Sequence, residues 1–576
     1  MLYTTTLRRA LAGAALALAA TAGALHAQDL NHKQADDFAD WLVADGQYAK
    51  AAGLYAEAFE ERSRTVYAYK AAELYFFVKN YAKAAPFYEA AAKSSDFPFA
   101  TRQLARCYKR MGRFAEAMME YGTFDATYHR EDSSAVRAAV ALEIEGVERA
   151  VAERERVDPT VFVDRVGGMV NGMKNEVAPA LMPDGSLGFV SDFDGTMRAY
   201  SADAAGKNTW GQMRPSSLLP VIEEAGHIGG GTLVSPDRFV FSLCPTTDLM
   251  TQPGDVNCTL QEVTRRGGTW GAPKPLPGNV NVEGTSSAQP FVFEEGGKEI
   301  MIFASDREGG HGGMDLWKAE RSLGSDVAKF GTPVNLGPAV NTPGHEVTPF
   351  FNPATRVLSF SSDGGVTLGG YDVRRATATD GVGKWTPATN PGTPVNSSAD
   401  DYFYVEVPGT STAYLASNRA ADLTKTLMTN DDLYVVTYDS RNITVEIAIL
   451  DDRTGKPVSD PTLQVSLNPD GRLVKPYLVR RSLDGYFQFT LPVDREVALS
   501  IERPYFDDAE FTVTIPATER DGYAVKPIRI ARTPIADGDT EVVWREARPG
   551  QAADGPAATP AEVMTASGAD DEDAGQ

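Results

Sequence analysis

Three acids and a histidine recur at matching places in the middle of this 576-residue chain. Glu176 opens the run Glu176-Val177-Ala178-Pro179 and Glu346 opens Glu346-Val347-Thr348-Pro349-Phe350, with His345 just before it. Asp401 stands at the same point of a third run. Carboxylates at equivalent positions of repeated strands are expected to meet at a shared rim. The competing expectation is a solvated or hydrogen-bonded rim with no chemistry of its own. His227, His311 and His345 fall in Gly-rich loops and would suit a metal only if those loops converged. Their irregular spacing argues against it, so no metal, cofactor or catalytic residue is assigned. A serine hydrolase of this length would need a Gly-x-Ser-x-Gly elbow and a late His. The chain has neither, and no His follows His345. An Asp-x-Asp-x-Asp-Gly calcium loop is also absent. Cys244 and Cys258 stand 14 residues apart and could pair in an oxidising compartment. Cys107 lies on a helical face and reads as a small buried residue.

The elements that carry these residues repeat. Phe189-Val190-Ser191-Asp192, Phe303-Ala304-Ser305-Asp306-Arg307, Phe360-Ser361-Ser362-Asp363 and Leu415-Ala416-Ser417-Asn418-Arg419 share one pattern, with Phe239-Val240-Phe241-Ser242 as a looser copy. Each unit closes on a run such as Asp315-Leu316-Trp317, Tyr371-Asp372-Val373 or Asp432-Leu433-Tyr434. Turns such as Pro183-Asp184-Gly185 separate the strands. Between units stands an aromatic such as Trp210, Trp270, Phe330 or Trp385, leading to a Pro and then usually to Val-Asn. Five four-stranded sheets packed radially, a five-bladed β-propeller over 165–440, is the expectation. Glu176, Glu346, Asp401 and His345 would then rim its channel.

Ahead of it, a 33-residue step runs through Tyr48, Tyr81 and Phe114, through Ala39, Ala72 and Ala105, and through Tyr55, Tyr88 and Tyr121. Small and large apolar residues at helical spacing predict helix hairpins over 28–160. After the propeller, Val445–Leu450, Tyr486–Leu491 and Val497–Ile501 are short strands of a small β-sandwich over 441–532. Residues 533–576 are rich in Ala, Gly, Asp and Glu and are expected to be a disordered acidic tail. The overall fold class is therefore multi-domain, α followed by all-β.

Arg8 and Arg9 precede an apolar run from Leu11 to Ala22, and Leu25-His26-Ala27 ends on a small residue. This is the pattern of a signal peptide, 1–27, cleaved before Gln28. The run is too short to span a bilayer, and no later stretch is long and apolar enough. A net charge of −23 repels phosphate backbones, which sets nucleic acid aside.

These pieces resemble known families. The 33-residue units resemble tetratricopeptide repeats, and the Ser-Asp-Arg and Asp-Leu-Trp pieces resemble WD-like repeats of the TolB propeller type. Thr454-Gly455-Lys456-Pro457-Val458 and Asp484-Gly485-Tyr486-Phe487 resemble the carboxypeptidase regulatory-like domain. Their order resembles the PorE-like proteins of Bacteroidetes-type envelopes, which usually continue into an OmpA-type peptidoglycan-binding domain. This sequence shows no such domain, so peptidoglycan anchoring is not expected. The resemblance implies a non-catalytic periplasmic scaffold, peripheral to the outer membrane. It would dock envelope or outer-membrane proteins through the repeat groove and the propeller, as an accessory to type IX secretion. The alternative is a propeller that binds or senses a carbohydrate or other small ligand.

Overall fold

The 33-residue step of aromatic residues fixes where the helices turn. In the computed structural model, helices α1 (His32–Ala44), α2 (Tyr48–Arg62), α3 (Thr65–Phe77), α4 (Tyr81–Ala91), α5 (Ala100–Arg110), α6 (Phe114–Thr127) and α7 (Ser133–Arg154) follow one another. Tyr48, Tyr81 and Phe114 are the first residues of α2, α4 and α6. Two residues before each lies a left-handed backbone position: Gly46 (φ 74°), Lys79 (φ 59°) and Gly112 (φ 68°). Two of the three are the residue type for which this conformation costs least; Lys79 is the exception. Ala51, Ala52, Ala84, Ala85 and Ala117 are buried against Tyr55, Tyr88 and Tyr121. Small residues on one helix thus admit the rings of the next.

The structure describes residues 32–154 and 161–531 apart from short stretches, the longest being 246–256, 421–429 and 469–478. The expected signal peptide and acidic tail lie outside the described residues. Among the described residues no helix is long and apolar enough to cross a membrane.

Residues 161–438 form sheets, antiparallel apart from a short parallel pair of Gly167–Gly168 with Thr209–Trp210, whose innermost strands are Glu176–Leu181, His227–Ser235, Ser287–Glu295, Glu346–Asn352 and Asp401–Glu406. These strands touch in succession, and the last touches the first, so the sheets close into a propeller. The final sheet is completed by the earliest strand: Val161–Arg165 pairs antiparallel with Asp432–Tyr438.

The repeated motifs staple one sheet to the next. Asn171, Asn281, Asn341 and Asn396 each accept from a backbone N–H of the preceding sheet through Oδ1 and return an Nδ2–H to the same residue's carbonyl, at Leu433, Leu260, Leu316 and Val373. In four of the five sheets the residue after the motif serine caps the residue before the innermost strand. Asp192 accepts from Asn175 N (2.7 Å), Asp306 from Ser286 N (2.7 Å), Asp363 from His345 N (2.7 Å) and Asn418 from Asp400 N (2.8 Å). Both devices satisfy backbone groups that would otherwise be buried without partners.

The helices are packed onto the propeller. Leu368 from the propeller joins the core of α6 and α7. A Cβ at Gly146 would lie 2.0 Å from the Thr367 carbonyl oxygen. Arg149 donates to the Asn390 carbonyl (2.9 Å), and Glu153 accepts from Thr393 N (2.8 Å).

Beyond the propeller, one sheet orders Val479–Arg481, Tyr486–Pro492, Asn442–Asp451 and Tyr523–Ile530, and a second orders Gln464–Asn468, Glu496–Glu502 and Ala509–Thr514. Val445, Ile447, Leu491, Ile501, Val513 and Ile515 from both share one core.

Candidate ligand cavity at the propeller mouth

Each innermost strand carries a left-handed residue near its start, Ala178, Gln289, Thr348 and Phe403 at the third position and Gly230 at the fourth. Four of these are not glycine, and each left-handed non-glycine residue costs on the order of 1–3 kcal/mol of strain. A bulge follows from it, and the pairing register shifts there in the sheets of Ala178, Gln289, Thr348 and Phe403. Hydrogen bonds link neighbouring bulges. Thr348 N donates to Gln289 Oε1 (3.0 Å) and Phe403 N to Thr348 Oγ1 (3.1 Å), while Gln289 N donates to Ser242 Oγ (3.2 Å). The bulges and these bonds hold the innermost strands in a fixed ring.

A cavity of about 550 Å³ is lined by the start of this ring and by the helical array. The propeller contributes Asn175, Asp192, Gly229, Ser286, Gln289 and Val347, and then Asp363, Tyr371, Asp400, Tyr402 and Phe403. The helical array contributes Phe76, Phe77, Lys79 and Tyr81 from the α3–α4 turn, and Arg110 from the end of α5. Cys244 and Cys258 line the cavity and are joined by a disulfide.

At the cavity the contact between helices and propeller is made by charge. Lys79 Nζ lies 3.1 Å from Asp431 and 3.5 Å from Asp400, and 5.4 Å from the centre of the Tyr402 ring. Arg110 pairs with Asp400 as well. Burial alone would raise the Asp400 carboxyl, but the Arg110 and Lys79 charges outweigh it and hold it at about 2. Burial would lower Lys79, and the Asp431 and Asp400 charges instead hold it above its ordinary value.

The expected rim residues sit elsewhere. Glu176, Glu346 and Asp401 are fully buried. Each accepts the hydroxyl of the motif serine across the strand pair, Ser191 (3.2 Å), Ser362 (2.6 Å) and Ser417 (2.6 Å). Asp401 is further bound by the Arg419 guanidinium at 2.5 Å. Burial pushes Glu176 up to about 8 and Glu346 to about 7. Their chain neighbours Asn175, Val177, Val347, Asp400 and Tyr402 line the cavity instead. Alternation along a strand explains this, since consecutive side chains face opposite ways. His345 Nδ1 accepts from Met314 N and His227 Nδ1 from Met197 N, both at 3.1 Å. His311 offers its backbone N–H to Asp315 (2.6 Å). Among the described residues, no group of three or more His, Cys, Asp or Glu is placed to hold a metal.

Sequence reasoning missed Lys79, Arg110, Tyr371, Asp400, Tyr402 and Asp431. Two signals were there to be read. Lys79 interrupts a repeat that has Gly in its other copies. Asp400 and Asn418 exchange acid and partner relative to His345 and Asp363.

No family model matches the chain, and no curated protein matches it. Solved structures do. A thermostable family-43 glycoside hydrolase matches at 13% identity and TM-score 0.33, covering 46% of this chain and 90% of the other. An endo-arabinase from Bacteroides thetaiotaomicron matches at 11% and 0.31, covering 49% and 98%. An alpha-L-arabinofuranosidase from Lactobacillus brevis matches at 14% and 0.32, covering 50% and 97%. The matched proteins carry glycoside hydrolase names, which runs against two expectations, the non-catalytic docking scaffold and the absence of enzymatic activity, and neither is carried forward. At these scores the likeness assigns no residue and no reaction. The cavity has to be read from its own lining.

Proposed function

We propose that this protein binds a carbohydrate in the cavity between the helical array and the propeller. The observation that carries the reading is the lining itself. The aromatic residues Phe76, Tyr371, Tyr402 and Phe403 and the polar residues Asn175, Asp192, Gln289 and Asp363 line the same cavity. A sugar offers an apolar C–H face and a rim of hydroxyls, and such a wall answers both. The volume fits a ligand of one to a few sugar rings.

The same reading takes the helical array as tetratricopeptide-type, the propeller as five-bladed and the last unit as carboxypeptidase regulatory-like. It places the protein in the periplasm. The basic residues and apolar run at 8–22 and the Cys244–Cys258 disulfide support an exported protein. The cavity takes lining from both the helices and the propeller, so the array serves the ligand site rather than standing apart from it.

The test is calorimetric titration of residues 28–576 against neutral oligosaccharides, with reducing-end release followed in the same mixtures. The expected result is saturable binding tighter than about 1 mM, weakened at least roughly fivefold by Tyr402→Ala, with circular dichroism unchanged. Failure of every oligosaccharide to bind, or indifference to Tyr402→Ala, would overturn it. Release of reducing ends would add turnover at the same site.

A further inference from the structure

Resting on the carbohydrate reading, we propose that the preferred ligand is a saccharide carrying a free, protonated amine. The cavity wall already shows how it holds an ammonium. Lys79 Nζ sits between the carboxylates of Asp431 and Asp400 and near the face of Tyr402. The remaining wall repeats the carboxylates and the ring, with Lys174 as its other basic residue. Asp363 and Tyr371 line it, and so does Asp192 in the first sheet.

The hydrogen bonds of these two carboxylates, Asp363 and Asp192, bring them no charged donor. Asp363 accepts the backbone N–H of His345, and Asp192 accepts from Asn175 N (2.7 Å) and Nδ2 (3.1 Å). All three bonds come from neutral donors. The cations Lys79 and Arg110 are held by Asp400 and Asp431, with Arg110 also in electrostatic range of Asp363. The Tyr371 hydroxyl is buried and has no hydrogen-bond partner among the described residues. A buried hydroxyl without a partner costs free energy, and a ligand that fills the cavity supplies what it lacks. An ammonium donates to carboxylates and hydroxyl oxygen alike, and it is attracted to ring faces. A neutral sugar hydroxyl satisfies the tyrosine but leaves four wall aspartates, Asp192, Asp363, Asp400 and Asp431, facing only Lys79, Arg110 and Lys174. An acidic sugar is repelled by these aspartates.

A matched pair of probes isolates the charge: an oligomer of β-1,4-linked glucosamine and its fully N-acetylated counterpart, titrated into the protein at mildly acidic pH. The amine form is expected to bind at least roughly tenfold tighter, with affinity falling as salt rises. Asp363→Asn is expected to erase the preference. Its Oδ1 can still accept from His345 N, as Asn418 does from Asp400 N, so the fold is retained. Tyr371→Phe is expected to weaken both probes. Equal affinities, a preference for the acetylated oligomer, or a preference that survives Asp363→Asn would overturn the proposal. If neither probe binds, the amine proposal is also overturned. The neutral panel then decides separately whether the cavity is a saccharide site.

Discussion

Asn396 holds both backbone groups of Val373: its Oδ1 accepts the Val373 N–H at 2.7 Å, and its Nδ2 returns a bond to the Val373 carbonyl at 2.9 Å. Both residues are fully buried. Asn396→Ala would leave a buried donor and a buried acceptor unpaired. A loss of about 2–4 kcal/mol is expected, since each orphaned group costs about 1–3 kcal/mol. Scanning calorimetry should show the propeller transition moving to lower temperature while ellipticity from the helices is kept.

Lys79 separates backbone strain from charge. Its left-handed backbone, φ 59°, is a position where glycine would relieve about 1 kcal/mol. Lys79→Met removes the charge and keeps the strain, whereas Lys79→Gly removes both. Lys79→Met is expected to cost about 1–2 kcal/mol, moderated because the lysine side chain is 30% exposed. Lys79→Gly should therefore be the more stable of the two. Denaturant titrations of both variants check the order; the reverse order would mean the backbone strain contributes little.

Two carboxylates make the propeller sensitive to alkali. Glu176 and Glu346 rise from an ordinary 4.5 to about 8 and about 7, chiefly through burial. A carboxyl raised on folding binds its proton more tightly in the native state. Its contribution is therefore fully present below pH 4.5 and is lost as pH rises through the folded value. Thermal midpoints should fall between pH 4.5 and about 8, and the fall should be smaller in Glu176→Gln. Asp400 acts in the opposite sense. Its stabilisation is lost only as pH drops from 3.8 through about 2.

Gly146 allows α7 to lie against the propeller. A methyl group there would meet the Thr367 carbonyl oxygen at 2.0 Å, and backbone cannot give way as a side-chain tip can. In Gly146→Ala the two units should separate, although alanine is the better helix former. Limited proteolysis after residue 154 should accelerate severalfold in the variant, and the cavity should lose its ligand affinity along with it.

Much of the fold was legible because its determinants are periodic. A 33-residue step gave the helix starts at Tyr48, Tyr81 and Phe114. The Ser-Asp pieces marked strands and the Val-Asn pieces the links between units, and their chemistry is that of staples rather than of a site. The candidate cavity was not legible, for a reason of the same kind. Its lining comes from breaks in the pattern: a lysine in a glycine slot, an aspartate where another sheet has histidine, and a tyrosine beside a conspicuous Asp-Val pair. Glu176 and Glu346 drew attention because they repeat, and repetition here marks structural duty. One residue along each strand, the side chain turns into the cavity, and a pattern reading cannot tell the two faces apart without the bulge that sets them.

The pairing of Val161 with Tyr438 also has a mechanical consequence. The chain enters the propeller from the helices and leaves it toward the sandwich at the same end of one strand pair. Tension applied between these two outer units would load the hydrogen bonds from Val161 to Arg165 one after another, as in a zipper, rather than all together in shear. The closure is thus the weak seam under load, and the first rupture would free the Val161–Arg165 strand while leaving the other sheets their own strands.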